Sequence, residues 1–263
     1  MLHSISLGDD LVIGEALSED RIDIDAEPWL GRVVVPHEDN LVLRAAGLMR
    51  KREHGGPLQV ALHKRIPVGA GLGGGSANAA GALEALNELW EAGLGPAALG
   101  GLAAELGSDI PFCLVGGTAV ATGRGEIVSP VPAPARLTFV LGLSARSLGT
   151  AEVYGAHHPA APAPPVDPLL AALAAADALR VAALLHNDLE RAAFRLRPEL
   201  AEAKQALLGA GALGAALSGS GPTLFAVVHD EGHAREIAAA VEGNFDRVEV
   251  VTSRPSCIER LTS

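Results

Sequence analysis

Apolar residues along this chain follow two rhythms. In the opening stretch they alternate with polar ones, which predicts short strands over residues 11–16, 21–24 and 32–35. Asp39 or Asn40 then caps a helix that runs through Leu41, Leu43, Ala45, Ala46 and Leu48 and ends near Lys51. Gly55-Gly56-Pro57 breaks the chain, and residues 58–63 alternate again as a half-buried strand. Helical spacing runs from Ser76 to Trp90 and again over 96–106. Residues 112–121 form an apolar run that reads as strand, with Asp109-Ile110-Pro111 as a turn before it, because a proline disfavours helix at the residue it follows.

Residues 137–143 predict a buried strand, and helices follow near 169–185, 188–195 and 198–209. Strands at 223–229 and 247–252 flank a helix at 231–241, and no internal repeat is visible. Pro130, Pro132 and Pro134 mark 129–136 as a domain boundary, dividing the chain into 1–132 and 133–263. The second part reads β-α-α-α-β-α-β, an α+β layer with helices on one face of a mostly antiparallel sheet.

Composition narrows the function. Aromatics are 3% of 263 residues, so the core is built from Leu, Val, Ile and Ala. The net charge of −11, with Arg50-Lys51-Arg52 as the only dense basic cluster, argues against nucleic acid as a partner. No run is long and apolar enough for a membrane span; the Ala-rich 169–185 is interrupted by Asp177 and Arg180. Two distant cysteines and the absence of a signal peptide predict a reduced, cytoplasmic setting. His229 and His233 lack a third ligand, so no metal site is assigned to them.

The chemistry concentrates in Pro67-Val68-Gly69-Ala70-Gly71-Leu72-Gly73-Gly74-Gly75-Ser76-Ala77, set between a predicted strand and a predicted helix. Glycines let successive amides turn inward, and a helix start adds its positive end, which together make an anion cradle. Gly69, Gly71 and Gly74 also fit the dinucleotide pattern G-x-G-x-x-G. A dinucleotide fold, however, needs a fully buried strand before the loop and a second strand soon after it, whereas 60–65 is half polar and 83–91 is still helix. No Gly-Lys-Ser/Thr is present, so a P-loop is excluded. A flexible linker would not interleave Leu72, Ala77 and Ala79 with its glycines.

With Asn78-Ala79-Ala80 added, the loop resembles the phosphate loop of the GHMP kinases. Further segments agree in order: Glu38-Asp39-Asn40-Leu41, Leu106 to Phe112, Gly123-Arg124-Gly125-Glu126, Asn187-Asp188-Leu189-Glu190 and Ser218 to Thr223. The variant beginning Lys64-Arg65-Ile66-Pro67 is most similar to the branch serving non-mevalonate isoprenoid synthesis. The resemblance implies a two-domain α+β fold, with a ribosomal protein S5 domain 2-like first domain and a ferredoxin-like second one. It also implies transfer of the γ-phosphate of ATP, with Mg²⁺, to a hydroxyl of a small CDP-linked polyol, by a monomer or homodimer.

By the same resemblance Asp109 is the catalytic carboxylate and the loop Pro67–Ala77 holds the nucleotide. The resemblance also implies that Lys64 touches the cytosine through its backbone, that Tyr154 stacks on it and that Thr150 hydrogen-bonds the substrate; by themselves Lys64 reads equally as a solvated strand lysine and Tyr154 as a partly buried core tyrosine. Ser218–Thr223 is a loop that closes on the phosphate loop, and Asn187 caps a helix. No metal ligand is assigned. The family opens with Pro-Ala-Lys-x-Asn-Leu and Asp-Gly-Tyr-His, neither of which this sequence carries, and His3 is not that histidine. Loss of a lysine beside Asp109 predicts a rate deficit on the order of 10²–10³-fold. Two alternatives therefore stand beside this reading: a homoserine- or mevalonate-type kinase, and a nucleotide-binding remnant with impaired catalysis.

Overall fold

The computed structural model describes residues 1–52, 55–132, 136–159 and 162–260. The chain divides into two compact units. One holds Met1–Ile66, Gly73–Val131 and the tail from Arg254; the other holds Pro67–Leu72 and Pro132–Ser253. The front half of the glycine-rich loop thus belongs to the second unit and the back half to the first. Residues 133–135 of the predicted proline-rich boundary lie outside the described residues.

The first unit runs β1 (Leu2–His3), β2 (Asp10–Glu15), β3 (Arg21–Ala26), α1 (Leu41–Arg52), β4 (Leu58–Lys64), α2 (Gly74–Leu89), α3 (Pro96–Leu106), α4 (Ile110–Val115), β5 (Thr118–Thr122) and β6 (Ile127–Val131). Strand β4 is central to one sheet, antiparallel to β2 and parallel to β3; β5 is central to another, antiparallel to β1 and β6. In β4 Leu58, Val60 and Leu62 are buried while Gln59 and Ala61 are exposed, the alternation read from the sequence. Val42, Ala45, Met49, Leu83, Leu86, Leu102 and Ile110 join the four helices in one core. Ala79, Ala80 and Ala82 are fully buried on α2, and their small size lets neighbouring helices approach closely.

Two expectations fail here. Residues 32–35 form no strand: the run is bracketed by Gly31, at φ +63, and Pro36, no neighbouring strand pairs with it, and Val34 is left exposed. Without a ladder partner, β-propensity has nothing to act on. Residues 112–121 are not one strand either, since Ile110–Val115 is helix α4 and only Thr118–Thr122 is extended. A short apolar run has no period that separates helix from strand. Pro111 sits in the first turn, where its missing N–H costs nothing, so Ile110 is helical despite preceding it. Gly116 and Gly117, at φ +69 and +67, stop the helix and redirect the chain into β5.

The second unit runs β7 (Thr138–Leu143), α5 (Thr150–Ala156), α6 (Asp167–Ala174), α7 (Ala178–Ala183), α8 (Glu190–Leu196), α9 (Glu199–Gly209), β8 (Gly214–Leu217), β9 (Leu224–Val227), α10 (Glu231–Val241) and β10 (Arg247–Thr252). Its sheet has the order β10-β7-β9-β8, antiparallel throughout. Fourth, first, third, second is the order of the ferredoxin-like split β-α-β arrangement, with extra helices between the first two strands. Val140, Leu217, Leu224 and Ala226 from the sheet pack with Val153, Leu200, Leu207 and Ile237 from the helices.

The single helix expected over 169–185 is two. Ala176, at φ +54, ends α6, and the Asp177 carboxylate then accepts the Arg180 N–H at 3.0 Å to start α7. Strand β8 and helix α5 were not anticipated. Gly-Ala-Ala-Leu has little strand propensity of its own and becomes β8 only by pairing with β9. Among the described residues no helix is long and apolar enough to cross a membrane.

Candidate active site

Strand β4 delivers the chain into the glycine-rich loop over a buried charge. The side chain of Asp9, just before β2, is 0% exposed and pairs with the ammonium of Lys64, itself 5% exposed. Asp9 also accepts the backbone N–H of Arg65 at 2.8 Å, that of Ile66 at 2.9 Å, and the Asn78 amide at 2.9 Å. A carboxylate removed from water needs its lone pairs filled, and four donors do that here. The result pins the end of β4 to the first turns of α2. Lys64 is therefore not a solvated strand lysine: its ammonium is committed to Asp9, and its carbonyl accepts the Glu27 N–H at 2.9 Å.

The loop's glycines serve shape. Gly69, Gly71 and Gly73 have φ of +69, +75 and +66, which side-chain-bearing residues adopt at a cost. A Cβ on Gly74 would lie 2.9 Å from Ile66 Cγ2 and 3.4 Å from the Lys64 ammonium, so the start of α2 packs directly on the β4 exit. Gly73 and Gly75 are exposed, and nothing lies within 4 Å of a Cβ placed on Gly73. No side chain caps α2, and no acidic residue stands in its first turn. The N–H groups of that turn point out of a helix end with their positive partial charge uncompensated, which suits an anion.

Asp109 stands immediately before α4, exposed, and its carboxylate caps nothing. Asp109 does lie in the turn read from the sequence, but its side chain makes no capping hydrogen bond. Gly125, at φ +117, comes so close that a Cβ there would be 3.6 Å from Asp109 Oδ1 and 3.4 Å from Ser108 Cβ. Two segments singled out in the sequence, 106–112 and 123–126, therefore meet at one carboxylate. Helix α4 packs on α2, the helix that begins at the glycine-rich loop.

In the second unit, Ser218–Thr223 closes on the front of the loop. The Ser218 hydroxyl donates to Gly71 O at 2.8 Å, and the Thr223 N–H donates to Ala70 O at 3.3 Å. A Cβ on Gly71 would lie 2.2 Å from Ser218 O and 2.9 Å from Gly221 N. Thr150 opens α5, and its hydroxyl is 3.1 Å from that of the buried Ser220. Tyr154 lies one turn further on the same helix face and is 61% exposed, so it is no core tyrosine.

Sequence reasoning gave no role of their own to Asp9, Asn78 or Ser220, although Asn78 and Ser220 lie in segments it singled out and Asn78 stands as a polar residue on the Ala-rich buried stripe of α2. Nothing local separates Asp9 from its neighbour Asp10, whose pKa is lowered chiefly by a hydrogen bond from Arg65 at the surface.

Comparison with known proteins finds relatives across most of the chain. The family model for the GHMP kinases N terminal domain matches residues 40–117, and that for GHMP kinases C terminal matches 169–247. A 4-diphosphocytidyl-2-C-methyl-D-erythritol kinase of Thermobifida fusca is 43% identical over 96% of this chain and 86% of its own length. One from Pelotomaculum thermopropionicum is 47% identical over 80% of this chain and 74% of its own. A crystal structure of 4-(cytidine 5'-diphospho)-2C-methyl-D-erythritol kinase superposes with a TM-score of 0.77 at 35% identity, covering 95% of this chain and 87% of that one. A homoserine kinase from Cytophaga hutchinsonii gives 0.75 at 24% identity over 95% of this chain and 86% of its own, a likeness of fold.

Proposed function

The chain belongs to the GHMP kinase family, and on that footing we propose that it phosphorylates the 2-hydroxyl of 4-diphosphocytidyl-2-C-methyl-D-erythritol at the expense of ATP. The observation that carries the reading is Asp109: an exposed carboxylate with no capping duty, on a helix packed against the one that starts at the glycine-rich loop. Phosphoryl transfer asks a protein mainly to position reactants and to neutralise charge.

The proposed division of labour rests on the family resemblance of these segments. Backbone N–H groups of Pro67–Ala77, with the uncapped start of α2, hold the nucleotide's phosphates. Pro67 itself has no N–H and contributes shape. Asp109 orients the acceptor hydroxyl and takes its proton as the new bond forms. Thr150 and Tyr154 bind the acceptor, Tyr154 by offering a ring face to cytosine. Lys64 acts through its backbone only, because Asp9 occupies its ammonium.

Among the described residues no three His, Cys, Asp or Glu side chains gather as a metal site. Magnesium would come with the phosphates of ATP held by the loop Pro67–Ala77, a usual mode for this ion, and would supply charge neutralisation there. The enzyme works in the cytoplasm.

Purified protein should release ADP from ATP only when the CDP-linked alcohol is present. Asp109→Asn should lower kcat by about 10²–10⁴-fold with ATP affinity retained. Turnover with homoserine or mevalonate instead, and no heat of binding with CDP, would move the chain to another branch of the family. An Asp109→Asn variant identical to the parent protein would reduce it to a nucleotide binder.

A further inference from the structure

The Asn-Asp-Leu-Glu segment before α8 does more than start a helix. Asn187 Oδ1 accepts the Leu189 N–H at 2.9 Å within the turn that leads into α8; the residue flanking the helix is Leu189, so Asn187 is not the helix cap expected of it. Its amide nitrogen then donates to Leu217 O and to Gly219 O, each at 2.8 Å, so both protons go to carbonyls on either side of Ser218. The carboxamide has only one workable orientation, because turning it over would set its oxygen against two carbonyl oxygens. Glu190 adds a third hold: Oε1 accepts the Leu217 N–H at 2.9 Å, while Lys204 satisfies both carboxylate oxygens at 2.9 and 2.8 Å.

The turn gripped this way meets the front of the glycine-rich loop through the Ser218 hydroxyl and the Thr223 N–H, and touches the start of α5 through Ser220 and Thr150. A helix cap needs none of the bonds that Asn187 makes to Leu217 and Gly219.

We propose that Asn187 and Glu190 are positioning residues: they set the path of Ser218, and through it the shape of Ala70–Gly71 that the nucleotide's phosphates require. This rests on the reading of Pro67–Ala77 as the phosphate loop. Neither residue touches substrate. A shift of the turn by part of a hydrogen-bond length displaces the Ser218 hydroxyl from Gly71 O, and the loop then samples shapes with its amides turned away.

The test is steady-state kinetics on the full chain, with ATP and 4-diphosphocytidyl-2-C-methyl-D-erythritol varied separately, beside thermal melts. Asn187→Asp keeps the side chain's size but faces two carbonyls with carboxylate oxygens. It should raise KM for ATP about tenfold or more and leave KM for the acceptor within about twofold. Glu190→Ala should raise KM for ATP about fivefold, and Glu190→Gln, which keeps an oxygen for the Leu217 N–H, should restore it to within about twofold. Variants that melt earlier yet keep the parent's KM for ATP would overturn the proposal, as would equal rises in both KM values.

A control separates this outcome from failure of the underlying reading. Gly75 is helical, a Cβ there meets only Leu41 Cδ1 at 3.6 Å, and Gly75→Asp places a negative charge at the start of α2. A raised KM for ATP in Gly75→Asp but not in Asn187→Asp rejects the positioning role alone. An unchanged KM in both rejects the phosphate loop itself.

Discussion

Where β4 runs into the glycine-rich loop the anchor is a buried ion pair, Asp9 with Lys64, whereas at Ala70 and Gly71 the same loop is held by neutral hydrogen bonds from Ser218 and Thr223. The first anchor lies inside one compact unit and the second inside the other. An ion pair out of water is expensive to form and more expensive to break, since removing one partner strands the other charge. A neutral hydrogen bond contributes about 1 kcal/mol net and is exchanged readily for water. The two flanks of the loop, Lys64–Ile66 before it and Asn78 after it, are thus tied to a buried carboxylate, while Ala70–Gly71 is adjustable at small cost. Damage at the first anchor should appear as unfolding, and damage at the second as altered nucleotide binding.

The largest expected effect comes from Asp9→Leu, which leaves the Lys64 ammonium buried without its carboxylate. A loss of about 3–5 kcal/mol is expected by denaturant titration, and Asp9→Leu combined with Lys64→Met should recover a good part of it. A small loss in the single variant would show that water reaches this cluster and would erase the contrast.

Gly71→Ala comes next. The new Cβ would clash with Ser218 O in a backbone region at φ +75 that alanine resists. A cost on the order of 2–4 kcal/mol is expected, with weakened ATP binding by calorimetry in whatever protein remains folded.

Acid offers a third separation. The ring of His3, in the first unit, sits within 2.7 Å of the Thr118 hydroxyl, and desolvation pushes its pKa down from 6.5 to about 4. A folded-state pKa below the unfolded one means the unfolded chain binds the proton first. The stabilisation is therefore whole above about 6.5 and is lost as pH falls toward about 4, amounting to roughly 3 kcal/mol. Melting curves across that range should fall in the parent protein and flatten in His3→Gln. The Ser218 tether is neutral and should not respond over the same window.

Ser218→Ala should have the smallest effect on stability, about 1 kcal/mol. It should still raise KM for ATP severalfold, because the lost bond is the one that orients Gly71. A Ser218→Ala protein that loses as much stability as Asp9→Leu would mean that the two anchors do not differ in kind.

Much of the framework was legible beforehand. The helices at Pro96–Leu106 and Glu231–Val241 and the strand at Arg247–Thr252 fall where the pattern puts them, since each has a clear period and clear stops. The errors share a cause. Residues 112–121, 169–185 and 214–217 are Ala-, Gly- or apolar-rich stretches whose own preferences are nearly flat, so neighbours chose for them. Asp109 could be singled out because a motif surrounds it; that it is exposed and makes no capping hydrogen bond could not be read.

Asp9 marks the limit most clearly. In sequence it is one of two adjacent acids before a strand, and in the fold one of them is sealed beneath the glycine-rich loop while the other pairs with Arg65 at the surface. The order of residues alone determined that this chain bends through glycines into a helix and carries the family's segments in sequence, because backbone freedom and periodicity are local properties. Which carboxylate is buried, what the Lys64 ammonium is committed to and which carbonyls Asn187 holds were decided only by tertiary structure. Desolvation and hydrogen-bond satisfaction depend on which groups, far apart along the chain, come to share one volume.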